Sequence, residues 1–334
     1  MSEEPRYLNA ECLSEDEYRA EVGLRPRSFK EYIGQKKVVQ NIEIMVKSAI
    51  LRKSAMDHVL LSGPPGLGKT SLAMIIAQEI GSELHVISGP AIEKKGDLAA
   101  ILTNLAPGDI LFIDEIHRIH ISIEEILYSA MEDFRLDIVI GQGPSARTMQ
   151  IDLPQFTLIG ATTRSGLLSN PLRDRFQAHL HFDFYEDKDL RDIIFQNASK
   201  LSMTLEDKAG NEIARRSRGT PRIANRILRR VRDFALVHDE ARIDLDVVRN
   251  SLQLLDIDNY GLDSMDRRIL AVVEEYYNGG PVGIEALCAT LGEDRGTIED
   301  VYEPFLLKHG FLLRTPRGRM ISDKAKEHLL SHKS

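Results

Sequence analysis

The chain's 334 residues carry a formal net charge of −8, with 43% hydrophobic and 28% charged side chains, which predicts an ordinary globular protein of two or three domains. No apolar run approaches the roughly 18 residues of a membrane span, and the polar start Met1-Ser-Glu-Glu-Pro5 is no signal peptide, so no membrane partner is expected. The two isolated cysteines, Cys12 and Cys288, exclude a thiolate metal cluster and a disulfide framework, and they fit a reducing cytoplasm.

Residues 1–22 are acidic and weakly patterned, as expected of a mobile arm. From 23 to 185 short apolar runs alternate with helical segments. The predicted strands are 58–62, 84–88, 110–113, 157–161 and 179–183. Alternation of this kind predicts an α/β domain, a parallel sheet with helices on both faces, whose ligands bind beyond the carboxyl ends of the strands. His179 and His181 share one face of the last strand, but no third ligand clusters with them, so packed or half-exposed histidines are expected.

The first strand runs into Gly63-Pro-Pro-Gly-Leu-Gly-Lys-Thr70, a complete phosphate-binding loop, and then into a helix that stops at Gly81. Glycines 63, 66 and 68 let the backbone curl so that several N–H groups face one anion, and the new helix adds its positive end. Lys69 then meets the β- and γ-phosphates, and the Thr70 hydroxyl can ligate Mg²⁺. A nucleoside triphosphate is the expected ligand.

The strand Ile110-Leu-Phe-Ile ends in Asp114 and Glu115, forty-five residues beyond Lys69. After a complete phosphate loop this pair has defined roles. Asp114 can hold the Mg²⁺ shell, and Glu115 can orient or deprotonate the attacking water. His117 and Arg118 read either as residues that support this pair from behind or, the favoured reading, as packed neighbours. Residues 135–153 break the alternation with a predicted hairpin around Gly141-Gln-Gly143, either a plain surface hairpin or an arm that touches a partner. Thr157-Leu-Ile-Gly-Ala-Thr162 ends the next strand in a hydroxyl placed to sense the γ-phosphate or hold the water. In Asn170-Pro-Leu-Arg173-Asp-Arg175-Phe176 an arginine sits too far along to bend back to its own site, and it is suited to stabilising phosphoryl charge at a neighbour's. For Arg173, local pairing with Asp174 stays open.

Residues 186–257 are all helical, and Thr220-Pro221 offers an N-cap before a first-turn proline. Arg222 can reach the nucleotide, which makes this small domain a lid. Eight arginines and no acid lie from 215 to 232, and most are expected to be solvated or to bridge to a neighbouring subunit. Residues 258–334 show helices at 263–277, 283–291 and 294–309, then Phe311–Arg314, the turn Thr315-Pro-Arg-Gly318 and Arg319–Ser322. Three helices and a basic two-stranded wing predict a winged-helix domain. Basic patches on a chain that is acidic as a whole point to anion binding at defined places.

The ordered set Gly63–Thr70, Ile110–Glu115, Thr157–Arg164, Asn170–Phe176 and Gly219–Arg222 resembles the AAA+ ATPases. The strings Leu24-Arg-Pro26, Tyr32-Ile-Gly-Gln35, Asp57-His-Val-Leu-Leu61, Gly141–Ala146, Ser217–Arg222, Gly279–Gly283 and Arg314–Arg319 narrow the likeness to the RuvB family of Holliday-junction branch-migration motors, over about Leu24 to Ala325. That resemblance implies a homohexameric ring that acts on duplex DNA with the junction-binding protein RuvA and near the resolvase RuvC. It implies ATP and Mg²⁺ as cofactors. It puts Leu24, Arg25, Tyr185 and Glu132-Asp133-Phe134 near the nucleotide, and Gly66, Gly68, Lys69, Thr70 and Ser71 on phosphates and metal. Arg175 becomes the finger acting in trans and Arg222 the lid sensor. The hairpin 135–153 becomes the RuvA-contacting arm, while Arg314, Arg319 and Arg295 touch DNA. A nucleotide-switched, initiator-like DNA binder and a clamp-loader subunit share much of this layout. A protein unfoldase would need an aromatic pore loop that Gly96-Asp-Leu-Ala-Ala100 does not supply.

Overall fold

Apolar runs of four to six residues form the central sheet because strands covered on both faces need no polar alternation. The computed structural model describes residues 23–140 and 147–332, so the N-terminal arm, Cys12 and the hairpin tip at 141–146 lie outside the described residues. The chain divides into two units, 1–63 with 68–183 and 64–67 with 184–334.

In the first unit, helix α1 (Lys36–Arg52) buries Val38, Val39, Ile42, Val46 and Ala49, one face at helical spacing. Strand β1 (Val59–Ser62) leads through the glycine-rich loop into α2 (Lys69–Ile80). Then follow β2 (Leu84–Ser88), α3 (Lys95–Thr103), β3 (Ile110–Asp114) and α4 (Ile121–Glu132). The hairpin strands β4 (Arg135–Ile140) and β5 (Arg147–Asp152) pair antiparallel, with Arg135 opposite Asp152. Strand β6 (Thr157–Thr162), the short helix α5 (Asn170–Arg173) and β7 (Ala178–His181) complete the unit.

The sheet runs β2-β3-β6-β1-β7, parallel throughout. Strand β6 therefore lies between β3 and β1, although some forty residues and a hairpin separate it from β3 in sequence. Its six residues are all buried. Leu60, Leu111, Ile113, Leu127, Phe156 and Leu158 belong to the core packed against the sheet.

The second unit opens with four helices, α6 (Asp187–Lys200), α7 (Asp207–Arg216), α8 (Pro221–Val237) and α9 (Leu245–Leu254). Helix α8 buries Ala224, Ile227, Leu228, Val231 and Ala235, which turns most of its arginines outward. Thr220 precedes α8 as expected, but its hydroxyl bonds the Ser217 carbonyl (3.4 Å) and caps no N–H of the helix. Helices α10 (Ser264–Tyr277) and α11 (Ile284–Leu291) follow. A helical stretch then runs through Arg295–Thr297 and a π turn, Ile298–Tyr302, into α12 (Glu303–Lys308). The wing is β8 (Leu312–Thr315) paired with β9 (Gly318–Ile321), and α13 (Asp323–His332) closes the chain. Leu262, Ile269, Leu287, Ile298, Leu306 and Phe311 fill this core.

Two of the lid arginines are exceptions to the solvated majority. Arg216 and Arg218 are buried, not solvated. Arg216 pairs with Glu212 and reaches Asn259 Oδ1 (2.9 Å), while Arg218 pairs with Asp266 and Asp263. Within this unit, the lid helices and the winged helix are thus joined by buried ion pairs.

Candidate functional site

Strand order gathers the chemistry. The carboxyl ends of β3, β6 and β1 lie side by side, so Asp114, Thr162 and Gly63 converge. Ser62 stands opposite Thr162, and Gly63 N–H donates to the Thr162 carbonyl at 3.1 Å. Residues forty to a hundred positions apart are brought together by backbone pairing alone.

At the loop, Lys69 is buried and its Nζ donates to the Gly63 carbonyl at 2.8 Å. The ammonium is folded into the curve it would share with phosphate. Gly68 has φ +96°, and a Cβ there would lie 2.6 Å from Tyr32 Oη, so neither the turn nor the tyrosine leaves room for a side chain. Tyr32 Oη donates to the Gly68 carbonyl (3.3 Å). The string 32–35 was legible as family likeness, but not as a brace for the loop. Leu24 is buried, and Arg25 Nη1 reaches Met74 Sδ (3.6 Å) on α2, the helix that the loop opens. Thr70 and Ser71 occupy the first turn of that helix.

Loop residues 64–67 group with the second unit. There Arg222 N–H donates to the Gly66 carbonyl (3.3 Å), and Tyr185 Oη donates to the Leu67 carbonyl (3.2 Å). Arg222, predicted as the lid sensor, and Tyr185, predicted near the nucleotide, therefore bond residues 66 and 67 of the loop.

Glu115 adopts a left-handed backbone conformation, φ 52°, which costs a non-glycine residue about 1–2 kcal/mol. Gly89 makes room for it: a Cβ on Gly89 would lie 2.4 Å from the Glu115 carbonyl oxygen. Asp114 Oδ1 accepts the Glu115 N–H at 3.0 Å. His117, read from sequence as packing, has a side chain only 5% exposed, with Nε2 3.5 Å from Glu115 Oε2 and Nδ1 2.9 Å from Thr162 Oγ1.

The metal question turns on donor chemistry. Asp114 and Thr70 offer hard oxygen ligands, the set Mg²⁺ prefers. Ser88 stands opposite Asp114 in the sheet, and its buried hydroxyl has no hydrogen-bond partner among the described residues; the same holds for Thr163 Oγ1. Orphaned buried hydroxyls beside a strand-end carboxylate fit a site built for a hydrated cation and phosphate oxygens. The one three-membered group of possible ligands among the described residues is Glu83, His85 and Asp109, at the amino ends of β2 and β3. There Asp109 Oδ2 also accepts Ala106 N–H (2.8 Å), a turn-closing role. His179 is outside it, with its ring against the Arg173 and Phe176 carbonyls.

Arg175 lies elsewhere. Gln177 and Ala178 donate their N–H groups to the His58 carbonyl (3.1 and 3.3 Å), at the start of β1. Gly63 is five residues further along that strand, roughly 17 Å away. Arg175 is held at this far end by Glu132 (3.0 Å), the Pro171 carbonyl (2.8 Å) and the Tyr128 carbonyl (3.3 Å). Of Glu132, Asp133 and Phe134, expected near the nucleotide, Glu132 pairs with Arg175 and Phe134 packs against His58 and Phe156. His58 fixes this end: it is buried, takes Leu158 N–H on Nδ1 (2.8 Å) and donates Nε2–H to the Met131 carbonyl (3.0 Å). Burial holds its pKa below the usual histidine value. Arg173 does not pair with Asp174; it donates to Asn170 Oδ1 at 3.1 Å.

In the winged helix, Arg314 is exposed and 3.9 Å from Glu299. Arg295, also exposed, pairs with Glu285 and Glu299 (both 3.1 Å). Arg319 departs from expectation. It is buried, with its guanidinium taken by Glu303 (2.6 Å) and Glu299 (2.8 Å), so it braces the wing from inside instead of standing open to a phosphate. Alternating strand positions put side chains on opposite faces, but Arg314 and Arg319 are cross-strand partners, so exposure had to come from the structure.

The comparisons with known proteins agree with this layout. A family model for the Holliday junction DNA helicase RuvB P-loop domain matches residues 24–182. The RuvB AAA lid domain matches 185–258, and the RuvB C-terminal winged helix domain matches 259–330. The chain is 56% identical over 328 residues to the Holliday junction branch migration complex subunit RuvB of Myxococcus xanthus, covering 98% of this chain and 95% of that protein. The corresponding Anaeromyxobacter protein is 56% identical over 315 residues, 94% and 92% of the two chains. Among solved structures, the Thermotoga maritima RuvB Holliday junction branch migration motor matches with a TM-score of 0.86 at 52% identity, covering 92% of this chain and 98% of that one.

Proposed function

The chain belongs to the RuvB family, and from that premise we propose that it is an ATP-driven motor for branch migration of Holliday junctions. It works as a homohexamer on duplex DNA in the cytoplasm, with a RuvA-type junction binder and a RuvC-type resolvase. The observation that carries this reading is the convergence of Lys69, Asp114, Glu115 and Thr162 at three adjacent strand ends, in a chain that continues into a winged helix.

ATP enters as substrate. The loop N–H groups around Gly66 and Gly68, with Ser71, cradle the phosphates, and Lys69 moves from the Gly63 carbonyl to the β- and γ-oxygens. Leu24, Arg25 and Tyr185 border the base. Thr70 and Asp114 would hold Mg²⁺, which would supply charge neutralisation to the phosphate oxygens. Glu115 takes a proton from the attacking water, whose oxygen bonds the γ-phosphorus as the bridge to ADP breaks. Thr162 hydrogen-bonds the γ-phosphate. Arg175, with Glu132 beside it and Asp133 and Phe134 next in the chain, serves the site of the next copy, where it stabilises the charge on the transferring group. Arg222 carries the nucleotide state to the lid through Gly66. Arg314 and Arg295 meet DNA phosphates, which carry no base code and so suit a motor indifferent to sequence. The hairpin 135–153 contacts RuvA.

The test is ATP-dependent dissociation of a synthetic four-way junction with and without RuvA, using Glu115→Gln as control. Conversion that needs ATP, Glu115 and RuvA is the expected result. ATP turnover without junction movement would overturn the motor reading in favour of a switch-like DNA binder.

A further inference from the structure

Glu115 and Thr162 end different strands, and one side chain touches both. Arg164 N–H can only donate, and it points at Thr162 Oγ1 from 3.0 Å. The Thr162 hydroxyl accepts there, and towards the neutral His117 tautomer protonated on Nε2 it turns its own proton to Nδ1, 2.9 Å away. With Nδ1 accepting, the neutral ring carries its proton on Nε2, which faces Glu115 Oε2 at 3.5 Å. In that tautomer donors and acceptors alternate along the whole series, from Arg164 through Thr162 and His117 to Glu115. Thr162 is 1% exposed and the His117 side chain 5%, so water does not readily replace either contact.

A threonine hydroxyl has one proton to give. With that tautomer it goes to His117; a γ-phosphate oxygen within reach of Thr162 competes for that same proton. Once it is taken, Nδ1 loses this donor and the ring loses one of the contacts that orient it. The contact between the other nitrogen and the Glu115 carboxylate shifts with the ring, and the carboxylate's orientation towards the water shifts with it.

We propose that His117 is a positioning residue that couples γ-phosphate engagement at Thr162 to the orientation of Glu115. The inference rests on the hydrolytic reading of Glu115 given above. It assigns His117 no proton transfer to substrate; its part is to make the position of the carboxylate depend on what Thr162 touches.

The test is a double-mutant cycle in steady-state ATP hydrolysis by the full chain, with His117→Phe, Thr162→Val and the pair, alongside affinity for a fluorescent ADP. His117→Phe should lower kcat about ten- to a hundred-fold, as expected for a misplaced catalytic group, and change ADP affinity less than about two-fold. The double variant should be little slower than the slower single variant, because both remove one coupling. His117→Gln, which keeps an amide donor towards Glu115, should recover part of kcat. Independent multiplication of the two single effects would overturn the proposal, as would an unchanged kcat in His117→Phe. If His117→Phe loses ADP binding, the same cycle with His117→Gln decides by the same criterion. Turnover retained by Glu115→Gln would instead sink the underlying assignment of Glu115, whereas a dead Glu115→Gln with a multiplicative cycle would sink the coupling alone.

Discussion

Arg218 Nη2 lies 2.9 Å from Asp266 Oδ1, and the two side chains are 5% and 0% exposed. Asp263, which caps α10, takes Nη1 at 3.2 Å, and the guanidinium sits over the Phe305 ring at 4.6 Å. Two carboxylates share one buried cation, so the cluster is one negative charge in excess. Burial, only partly offset by Arg218, pushes the Asp266 pKa from 3.8 up to about 7. The folded state therefore binds a proton that the unfolded state has already lost, so this group's contribution is full below pH 3.8 and is lost as pH rises through about 7. Asp266→Asn should gain stability over the parent as pH rises from 5 to 8, read from urea midpoints. An equal difference at both pH values would refute it. Arg218→Met, which strands the acids, should cost about 3–5 kcal/mol.

His58 shows the opposite sign. Its depressed pKa means that the unfolded chain binds the extra proton, so stability is present above the ordinary value of 6.5 and is lost as pH falls below it. His58→Leu leaves the Leu158 N–H and the Met131 carbonyl without partners and should cost about 1–3 kcal/mol for each. Its stability should also depend less on pH between 7 and 5 than the parent's, as denaturant melts at both values would show.

Gly89 and Gly96 make a matched pair. A methyl on Gly89 meets the Glu115 carbonyl at 2.4 Å, whereas one on Gly96 meets nothing within 4 Å. Gly89→Ala should lower ATP turnover about a hundred-fold by moving Glu115. Gly96→Ala, inside α3, should keep full turnover and add roughly 0.5–1 kcal/mol of stability. Equal activities in the two variants would remove the steric argument for Glu115.

Arg175 and Lys69 can be separated genetically. Subunits carrying Arg175→Ala should bind nucleotide and fail to hydrolyse it, and mixing them with Lys69→Ala subunits should restore part of the turnover. Co-assembled mixtures that never recover activity would refute action across an interface.

Arg314 and Arg319 should part company. Arg314→Ala should weaken DNA binding evenly across sequences and lower the salt slope by about one. Arg319→Ala should instead destabilise the winged helix by about 3–5 kcal/mol, because it leaves Glu303 buried and unpaired. The assignment would be reversed if the Arg319 variant kept its stability but lost the salt slope.

Much of the site was legible because it is carried by local strings. The phosphate loop, the Asp114–Glu115 strand end and Thr162 each declare a strand, a turn and a charge in a few residues. Strand order was not legible, since it decides only in three dimensions that β6 lies between β3 and β1. His117 and Tyr32 escaped for the same reason: their partners are forty-five and thirty-six residues away, at Thr162 and Gly68. Arg319 was misjudged because a basic wing looks the same in sequence whether or not acids on the preceding helical stretch reach it. The burial of Arg218 and Arg216 was not legible either, as Arg218 finds its acids and Arg216 its Asn259 contact in the next domain.

Arg175 and the Gly63 loop occupy opposite ends of β1, and that has a counting consequence. On the proposed assignment each copy brings one socket and one plug that do not fit each other. A linear run of n copies then completes n−1 sites, while closing it into a ring completes n. Ring closure alone adds an active centre, so activity per subunit should climb with concentration more steeply than assembly does.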